Sequence, residues 1–321
     1  MPNELVPADP QFQSQEPSSA PPPQPSGVSE IFLGPNGIRA GWRLLIFCAI
    51  FVGIAFILQS ILSRIPYIHD HFGPAAATNE ITPGIAMFGE GLQFACLLAV
   101  AAIMSLIEKK SFGGYGLPGS EFFGKKFWLG VPYGFAMLSL LLVGIAALHG
   151  ITLGSVSLTT PAAFRYGLLW AIVFIFVALF EEFSFRGYLQ STLGSGIGFW
   201  PAAVLLSIAF GSIHLGNSGE AIFGAVTAGT FGLVAAFALR RTGNLWFPIG
   251  LHASWDWAET YFYGTPDSGL LAKGHFFSAS FHGANWVTGG SVGPEGSYLV
   301  LPVLALGAIG IHFLFPAKQN R

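Results

Sequence analysis

The chain has 321 residues, of which 52% are hydrophobic and 9% are charged, and its formal net charge is −2. A soluble domain carries about 25% charged residues, so this composition excludes an ordinary soluble protein and predicts a polytopic membrane protein. The near-neutral charge, with no basic cluster, argues against nucleic-acid binding. Cys48 and Cys96 lie in apolar runs and lack metal-ligand spacing, which favours packing roles.

The N-terminal segment differs sharply from the rest of the chain. The stretch 11–29 is rich in Pro, Ser and Gln, and no Lys or Arg precedes Arg39. Such a composition cannot bury enough apolar surface to fold, and it lacks the basic start of a signal peptide. The sequence therefore predicts a disordered cytoplasmic tail over residues 1–35. A membrane domain over 36–316 and a short cytoplasmic C-terminus over 317–321 follow it.

The remaining sequence predicts an all-α fold, a polytopic membrane helix bundle of about eight transmembrane helices. Apolar runs long enough for a bilayer helix, the fifth being short, recur along the chain. They lie near Leu44–Leu62, Ile85–Ile107, Phe127–His149, Phe164–Leu193, Pro201–His214, Ala221–Leu239, Leu245–Tyr263 and Tyr298–Phe315.

The distribution of Lys and Arg predicts the orientation, because cytoplasmic loops retain these residues. With eight spans and both termini inside, 11 of the 14 fall on the cytoplasmic side and three, Arg64, Arg165 and Lys273, fall outside. We therefore expect a multi-pass protein of the inner cell membrane. The loop 264–297 would lie outside, and its aromatic and glycine content predicts a folded cap rather than a flexible linker.

Three ionisable residues, Glu181, Glu182 and Arg186, end the run that begins at Gly167 and contains no charge. Each ionisable side chain near the bilayer centre costs about 2.5–3.5 kcal/mol on insertion scales, so such a cluster is expected to be paired and functional. Glu182 and Arg186 are four residues apart and share a helix face. Glu181 points about 100° away and is left for other chemistry.

Two further predicted helices carry polar residues. His214 follows Phe210 by one turn in the fifth helix, and His252 and Asp256 are spaced i and i+4 in the seventh. Counting 1.5 Å per residue from the presumed inner ends places these side chains and Glu181 at similar depths. We therefore expect them to converge in the inner half of the bilayer.

These residues form three motifs through which the chain resembles the CAAX-protease and bacteriocin-processing family of intramembrane proteases, which includes the type II CAAX prenyl endopeptidases. The family shows EExxxR, FxxxH and HxxxN in this order. Here the motifs stand as Glu181-Glu182-Phe-Ser-Phe-Arg186, Phe210-Gly-Ser-Ile-His214 and His252-Ala-Ser-Trp-Asp256.

The resemblance implies an intramembrane endopeptidase acting on a membrane-embedded or lipidated peptide or protein. By resemblance, Glu181 and His214 would activate a water molecule, while His252 and Asp256 would stabilise the oxyanion. The Glu182 pair would orient the first carboxylate, with Phe210 in structural support. Peptide hydrolysis needs these three functions: an activated water, an oxyanion site and a proton donor for the leaving amine.

The last motif position departs from the family, because Asp256 replaces the usual Asn. An ionised carboxylate cannot donate a hydrogen bond to an oxyanion. Asp256 could be protonated, could accept from His252, or could belong to a metal site with His214 and His252. No HExxH motif occurs. This favours a metal-free glutamate mechanism without a cofactor and leaves zinc as the alternative.

Two other classes of function fit part of the pattern. A catalytically silent immunity or scaffold protein of the same fold would use the helices to bind a partner, but such a protein should have lost at least one of Glu181, His214 or His252. A proton-coupled transporter also uses intramembrane acids. The polar residues here cluster instead of lining a path, and no inverted repeat is evident.

Overall fold

A computed structural model of the protein describes residues 27–35, 37–65, 80–156, 158–216 and 222–316. Most of the predicted tail, residues 1–26, and the predicted C-terminal segment 317–321 lie outside the described residues. The described residues before Ala40 form a separate unit, in which a helical turn Ser29–Phe32 (α1) precedes a two-stranded pair, Leu33–Gly34 (β1) and Gly37–Ile38 (β2). The last part of the predicted tail thus contains short elements.

The second unit, residues 40–321, is an all-α bundle, as the sequence predicts. Two π-helical segments interrupt its α-helices, at Glu182–Leu189 and Trp257–Phe262. The α-helices are Ala40–Leu62 (α2), Pro83–Glu108 (α3), Lys125–Ala147 (α4), Thr160–Glu181 (α5), Gln190–Ile197 (α6), Phe199–His214 (α7), Ile222–Thr242 (α8), Trp246–Asp256 (α9), Asn285–Thr288 (α10) and Val300–Leu314 (α11).

Five helical segments are long and apolar enough to cross a membrane: α2, α3, α4, α8 and the continuous helix Thr160–Ile197. Two shorter apolar helices, α7 and α11, match further predicted spans. The remaining predicted span forms α9 and the π-helix after it. All eleven residues of α9 are buried, so this helix is the centre of the bundle.

Glycine allows the close packing that fixes the position of α9. A Cβ atom on Gly130 or Gly134 of α4 would collide with the carbonyl oxygens of Phe247 and Leu251, respectively. A Cβ on Gly250 would likewise collide with the carbonyl of Phe127. Small residues permit such backbone approach in membrane bundles, where the lipid supplies no hydrophobic driving force between helices. The sequence therefore holds α9 directly against α4.

The loop 264–297 is folded over one end of the bundle and is called the cap below. It contributes Leu271–Ala272 (β5), parallel to Glu80–Ile81 (β3), and Phe277–Phe281 (β6), antiparallel to Ile151–Val156 (β4). Trp170 Nε1 of α5 donates a hydrogen bond to the carbonyl of Lys273 at 3.2 Å. These contacts attach the cap to three separate parts of the chain.

Candidate active site

A cavity of about 190 Å³ lies between α3, α5, α7, α8, α9 and the cap. The predicted residues Glu181, Phe210, His214, His252 and Asp256 all line it. They come from three helices and from positions up to 75 residues apart in sequence. The fold therefore brings one acid of the first motif, the histidines of the other two and Asp256 to one enclosed space.

Glu182 and Arg186 form a buried ion pair beside the cavity. Arg186 Nη1 lies 3.2 Å from Glu182 Oε1, and the two side chains are 3% and 0% exposed. The guanidinium also donates from Nε to the carbonyl of Gly232 at 3.3 Å and lies 4.2 Å from the ring centre of Phe210. A buried charge of this kind is tolerated only when it is paired, so the pair meets the expectation from its spacing.

His252 lies between three carboxylates. Its Nδ1 is 2.9 Å from Glu182 Oε1, whereas its Nε2 is 3.7 Å from Glu181 Oε2 and 3.6 Å from Asp256 Oδ2. A carboxylate is an acceptor, so the Nδ1 contact places a proton on that nitrogen. The other ring nitrogen, Nε2, then faces the cavity acids.

This geometry adds a contact to the predicted division of roles. Glu182 is predicted to pair with Arg186 and to orient Glu181; it pairs with Arg186 and also contacts His252, which fixes the orientation of the imidazole. Asp256 lies on the opposite side of the ring, at 3.6 Å, beyond hydrogen-bond distance. A sequence spacing of i and i+4 shows that two side chains share a face, but it does not show which ring nitrogen each partner approaches.

Glu181 is the acid of the first motif that remains accessible. Its side chain is 22% exposed, compared with 0% for Glu182, and it lines the cavity. The π-helix begins immediately after it, at Glu182. Such π-segments are rare and occur frequently at functional sites, because the extra residue per turn changes the direction of the side chains.

His214 is the last residue of α7, and the Phe210 carbonyl orients its ring. Nδ1 lies 2.7 Å from the Phe210 oxygen, and the two rings are 4.6 Å apart. A carbonyl oxygen can only accept, so Nδ1 carries the proton in this contact. In the neutral ring, Nε2 is then the unprotonated nitrogen. The FxxxH motif thus sets the tautomer of its own histidine through the backbone.

Five polar side chains outside the three motifs also line the cavity. They are Glu90 of α3, Thr260 of the second π-helix, and Asp267, Ser268 and Glu295 of the cap. Asp267 Oδ2 accepts from Thr260 Oγ1 at 2.9 Å, and Glu295 Oε1 accepts from Trp255 Nε1 at 2.9 Å. Asp267 and Glu295 are the two acids in the loop 264–297, a signal that the sequence contained.

The depth of the cluster within the bilayer stays a prediction. The helix that carries Glu181 continues beyond Gln190, through α6 to Ile197, so the inner end of the fourth span lies further along the chain than expected. His214 is the last residue of α7, and residues of the cap line the cavity together with it. The cap therefore forms one wall of the cavity.

The arrangement of the candidate metal ligands does not resemble a three-ligand site. Zinc sites require at least three protein ligands at about 2.0–2.3 Å from the ion. Among the described residues, no group of three or more His, Cys, Asp or Glu side chains could hold a metal ion. His214, His252 and Asp256 share the cavity, but they do not form such a group.

Comparison with known families agrees with the motifs. Residues 163–258 match the family described as type II CAAX prenyl endopeptidase Rce1-like, which is less than a third of the chain. The matched segment contains all three motifs and ends before the cap. No curated protein matches the chain. The resemblance inferred from the motifs is confirmed at residues 163–258, where the chain matches the model of the type II CAAX prenyl endopeptidase Rce1-like family.

Proposed function

We propose that the protein is an intramembrane endopeptidase that hydrolyses a peptide bond with a water molecule activated by Glu181. The observation that carries this proposal is the shared cavity, which is lined by the accessible carboxylate of Glu181 and by two oriented imidazoles, one of them 3.7 Å from Glu181. Enclosure by protein strengthens electrostatic interactions and limits competing water, which suits hydrolysis within a membrane.

In the proposed reaction, a water molecule between Glu181 and His214 attacks the carbonyl carbon of the scissile bond. Its proton passes to Glu181 or to Nε2 of His214, the ring nitrogen left free by the Phe210 contact. The C–O bond forms, the carbonyl electrons move to oxygen, and the same proton reaches the amine nitrogen as the C–N bond breaks. General acid–base catalysis of this kind contributes about 10²–10⁴-fold.

His252 would stabilise the oxyanion from Nε2. This requires a proton on Nε2 in addition to the proton on Nδ1, and the flanking Glu181 and Asp256 carboxylates favour the resulting positive charge. Asp256 would therefore act through His252, because an ionised carboxylate has no hydrogen to donate. This route uses no metal. In it, Asp256 favours the positive charge of His252, a role that the asparagine of the family motif would fill differently.

We further propose that the substrate is a membrane-embedded or lipidated peptide and that the protein lies in the inner cell membrane with both termini cytoplasmic. The substrate proposal rests on the family match and on the five membrane-crossing helical segments. The orientation proposal rests on the Lys and Arg distribution. The domain boundaries proposed are a membrane domain over 36–316 with its cap at 264–297.

The test uses the purified full chain in lipid nanodiscs with a farnesylated fluorogenic CAAX peptide and its unprenylated counterpart. Glu181→Gln keeps the shape of the side chain and removes the base, so turnover should fall at least about 100-fold. Glu121→Gln is the matched control, because this exposed carboxylate pairs with Lys126 at 2.9 Å and does not line the cavity.

If neither peptide is cleaved, the membrane peptidomes of cells carrying wild type or Glu181→Gln provide the second arm. New peptide termini that depend on Glu181 would support the proposal and identify the substrate. Identical peptidomes, or equal cleavage by wild type and Glu181→Gln, would contradict it. Identical peptidomes would favour the silent scaffold, whereas proton flux that depends on Glu181 would favour the transporter.

A further inference from the structure

A second cavity, of about 370 Å³, opens near the ends of the helices that carry the predicted cytoplasmic charges. It lies between the loop 113–116, α6 and the end of α8. It shares no lining residue with the catalytic cavity, although one residue of the first motif lines it. Arg186 and Arg240 line it together with Gln190, Ser191 and Tyr115. None of its lining residues is an acid.

The charge around this cavity is positive. Lys110 Nζ lies 3.5 Å from Ser191 Oγ at the rim. The nearest acid in this network, Glu108, is already engaged at both oxygens, by Tyr188 at 2.5 Å and by Arg43 at 2.9 Å. Two cations, Arg43 and Lys110, therefore share the single negative charge of Glu108, and this group keeps a net positive charge.

Arg240 is the cation best placed to bind a ligand. It is exposed, and its guanidinium lies 5.2 Å from the ring centre of Phe199. No hydrogen bond or ion pair of Arg240 is present in the described part of the chain. Arg186 borders the same cavity, is 3% exposed, and has an Nη2 without a hydrogen-bond partner among the described residues. Each of the two guanidinium groups thus keeps N–H groups that could donate hydrogen bonds to an anion.

The surroundings favour a lipid over a soluble anion. Phe199 and Leu239 add apolar walls to the cavity, and the helices beside it are membrane-crossing candidates. Basic pockets between transmembrane helices on the cytoplasmic side bind the head groups of anionic lipids. We infer that this cavity binds the phosphate of an anionic phospholipid head group, with Arg240 as its principal contact and Lys110 at the rim.

The test measures lipid retention and thermal stability of the full chain in phosphatidylcholine nanodiscs with and without phosphatidylglycerol. We expect phosphatidylglycerol to raise the melting temperature and to remain bound in native mass spectrometry. Arg240→Gln should weaken this binding about fivefold, the effect of one Lys or Arg near an anionic surface. Arg240→Lys should retain most of the binding, because the positive charge is kept.

Arg241→Gln is the matched control. It removes the same charge one position away, but Arg241 donates from Nη2 to the carbonyl of His312 at 2.7 Å and does not line the cavity. Equal effects of Arg240→Gln and Arg241→Gln, or no effect of Arg240→Gln, would overturn the assignment. Inorganic phosphate that stabilises the protein in pure phosphatidylcholine as strongly as phosphatidylglycerol does would show a soluble-anion site instead.

Discussion

Glu182 and His252, 70 residues apart in sequence, share a buried hydrogen bond of 2.9 Å between Oε1 and Nδ1. The same oxygen lies 3.2 Å from Arg186 Nη1. One carboxylate oxygen therefore joins the first and last motifs and connects a buried cation to a proposed oxyanion-stabilising ring. Two properties, the stability of the bundle and the orientation of His252, depend on this single atom.

We predict that Glu182→Gln reduces both properties. A neutral amide leaves Arg186 buried without its counter-charge, and loss of one partner of a buried pair costs about 3–5 kcal/mol of unfolding free energy. The imidazole also loses its carboxylate acceptor, and a displacement of about 1 Å at a catalytic group can cost about 100-fold in rate. Thermal unfolding in detergent and peptide turnover measure the two effects separately.

The double variant Glu182→Gln/Arg186→Gln separates stability from catalysis. It removes both charges, so most of the lost stability should return, because no uncompensated ion remains buried. Turnover should stay low, because His252 still lacks its carboxylate. Recovery of turnover together with stability would show that Glu182 acts only in folding and not in positioning the ring.

Sequence reasoning identified the cavity residues but not all of their contacts. The spacing of Glu182 and Arg186 predicts the ion pair, because residues four apart share a face. The Glu182–His252 bond, in contrast, depends on the packing of α5 against α9, which glycine contacts along α4 help to fix. The π-helix that begins at Glu182 has no local signal in the sequence, since it arises from tertiary packing.

The cap shows a similar limit. Its folding was expected from aromatic and glycine content, and Asp267 and Glu295 were visible as its two acids. Their entry into the cavity follows from long-range pairing of β3 with β5 and of β4 with β6. These strands are too short to show the alternation of apolar and polar residues that would predict their pairing. The sequence therefore does not predict that residues of the cap line the cavity.

The cap aspartate predicts a pH dependence of stability. Burial raises the pKa of Asp267 above its ordinary value of 3.8, and the Glu181 carboxylate raises it further, whereas the hydrogen bond from Thr260 and the nearby His252 and His214 oppose the shift. The folded state therefore holds this proton to a higher pH than the unfolded state does. Stability from this group is present below pH 3.8 and declines as the pH rises towards the folded-state pKa.

Asp267→Asn removes the titration and should flatten this decline. The difference in melting temperature between wild type and Asp267→Asn should become less favourable to wild type as the pH rises above about 4. Glu121→Gln is the comparison, because the side-chain hydrogen bond with Lys126 lowers the pKa of Glu121 and gives the opposite dependence. A constant difference for Asp267→Asn across the pH range would show that folding does not raise the pKa of Asp267.

Metal dependence follows from the arrangement of the ligands. A metal-free mechanism predicts that o-phenanthroline and EDTA leave the turnover of the purified protein within about twofold of the untreated rate. Removal of a catalytic metal would instead remove several kcal/mol of transition-state stabilisation and abolish turnover. Loss of activity with a chelator, followed by recovery with one specific divalent ion, would replace the glutamate-only route. His214→Ala and His252→Ala should then also reduce the metal content of the protein.

The orientation proposed for the cap can be tested by cysteine labelling. In a background of Cys48→Ala and Cys96→Ala, Ser280→Cys places a thiol at the exposed position of β6 in the cap, and Ser120→Cys places one at an exposed position between α3 and α4. The predicted topology puts these positions on opposite sides of the membrane. A membrane-impermeant maleimide should label Ser280→Cys in cells with an intact plasma membrane and label Ser120→Cys only after permeabilisation. The reverse pattern would show the opposite orientation, with the cap on the cytoplasmic side. A cytoplasmic lipidated substrate would then reach Glu181 from the cap side.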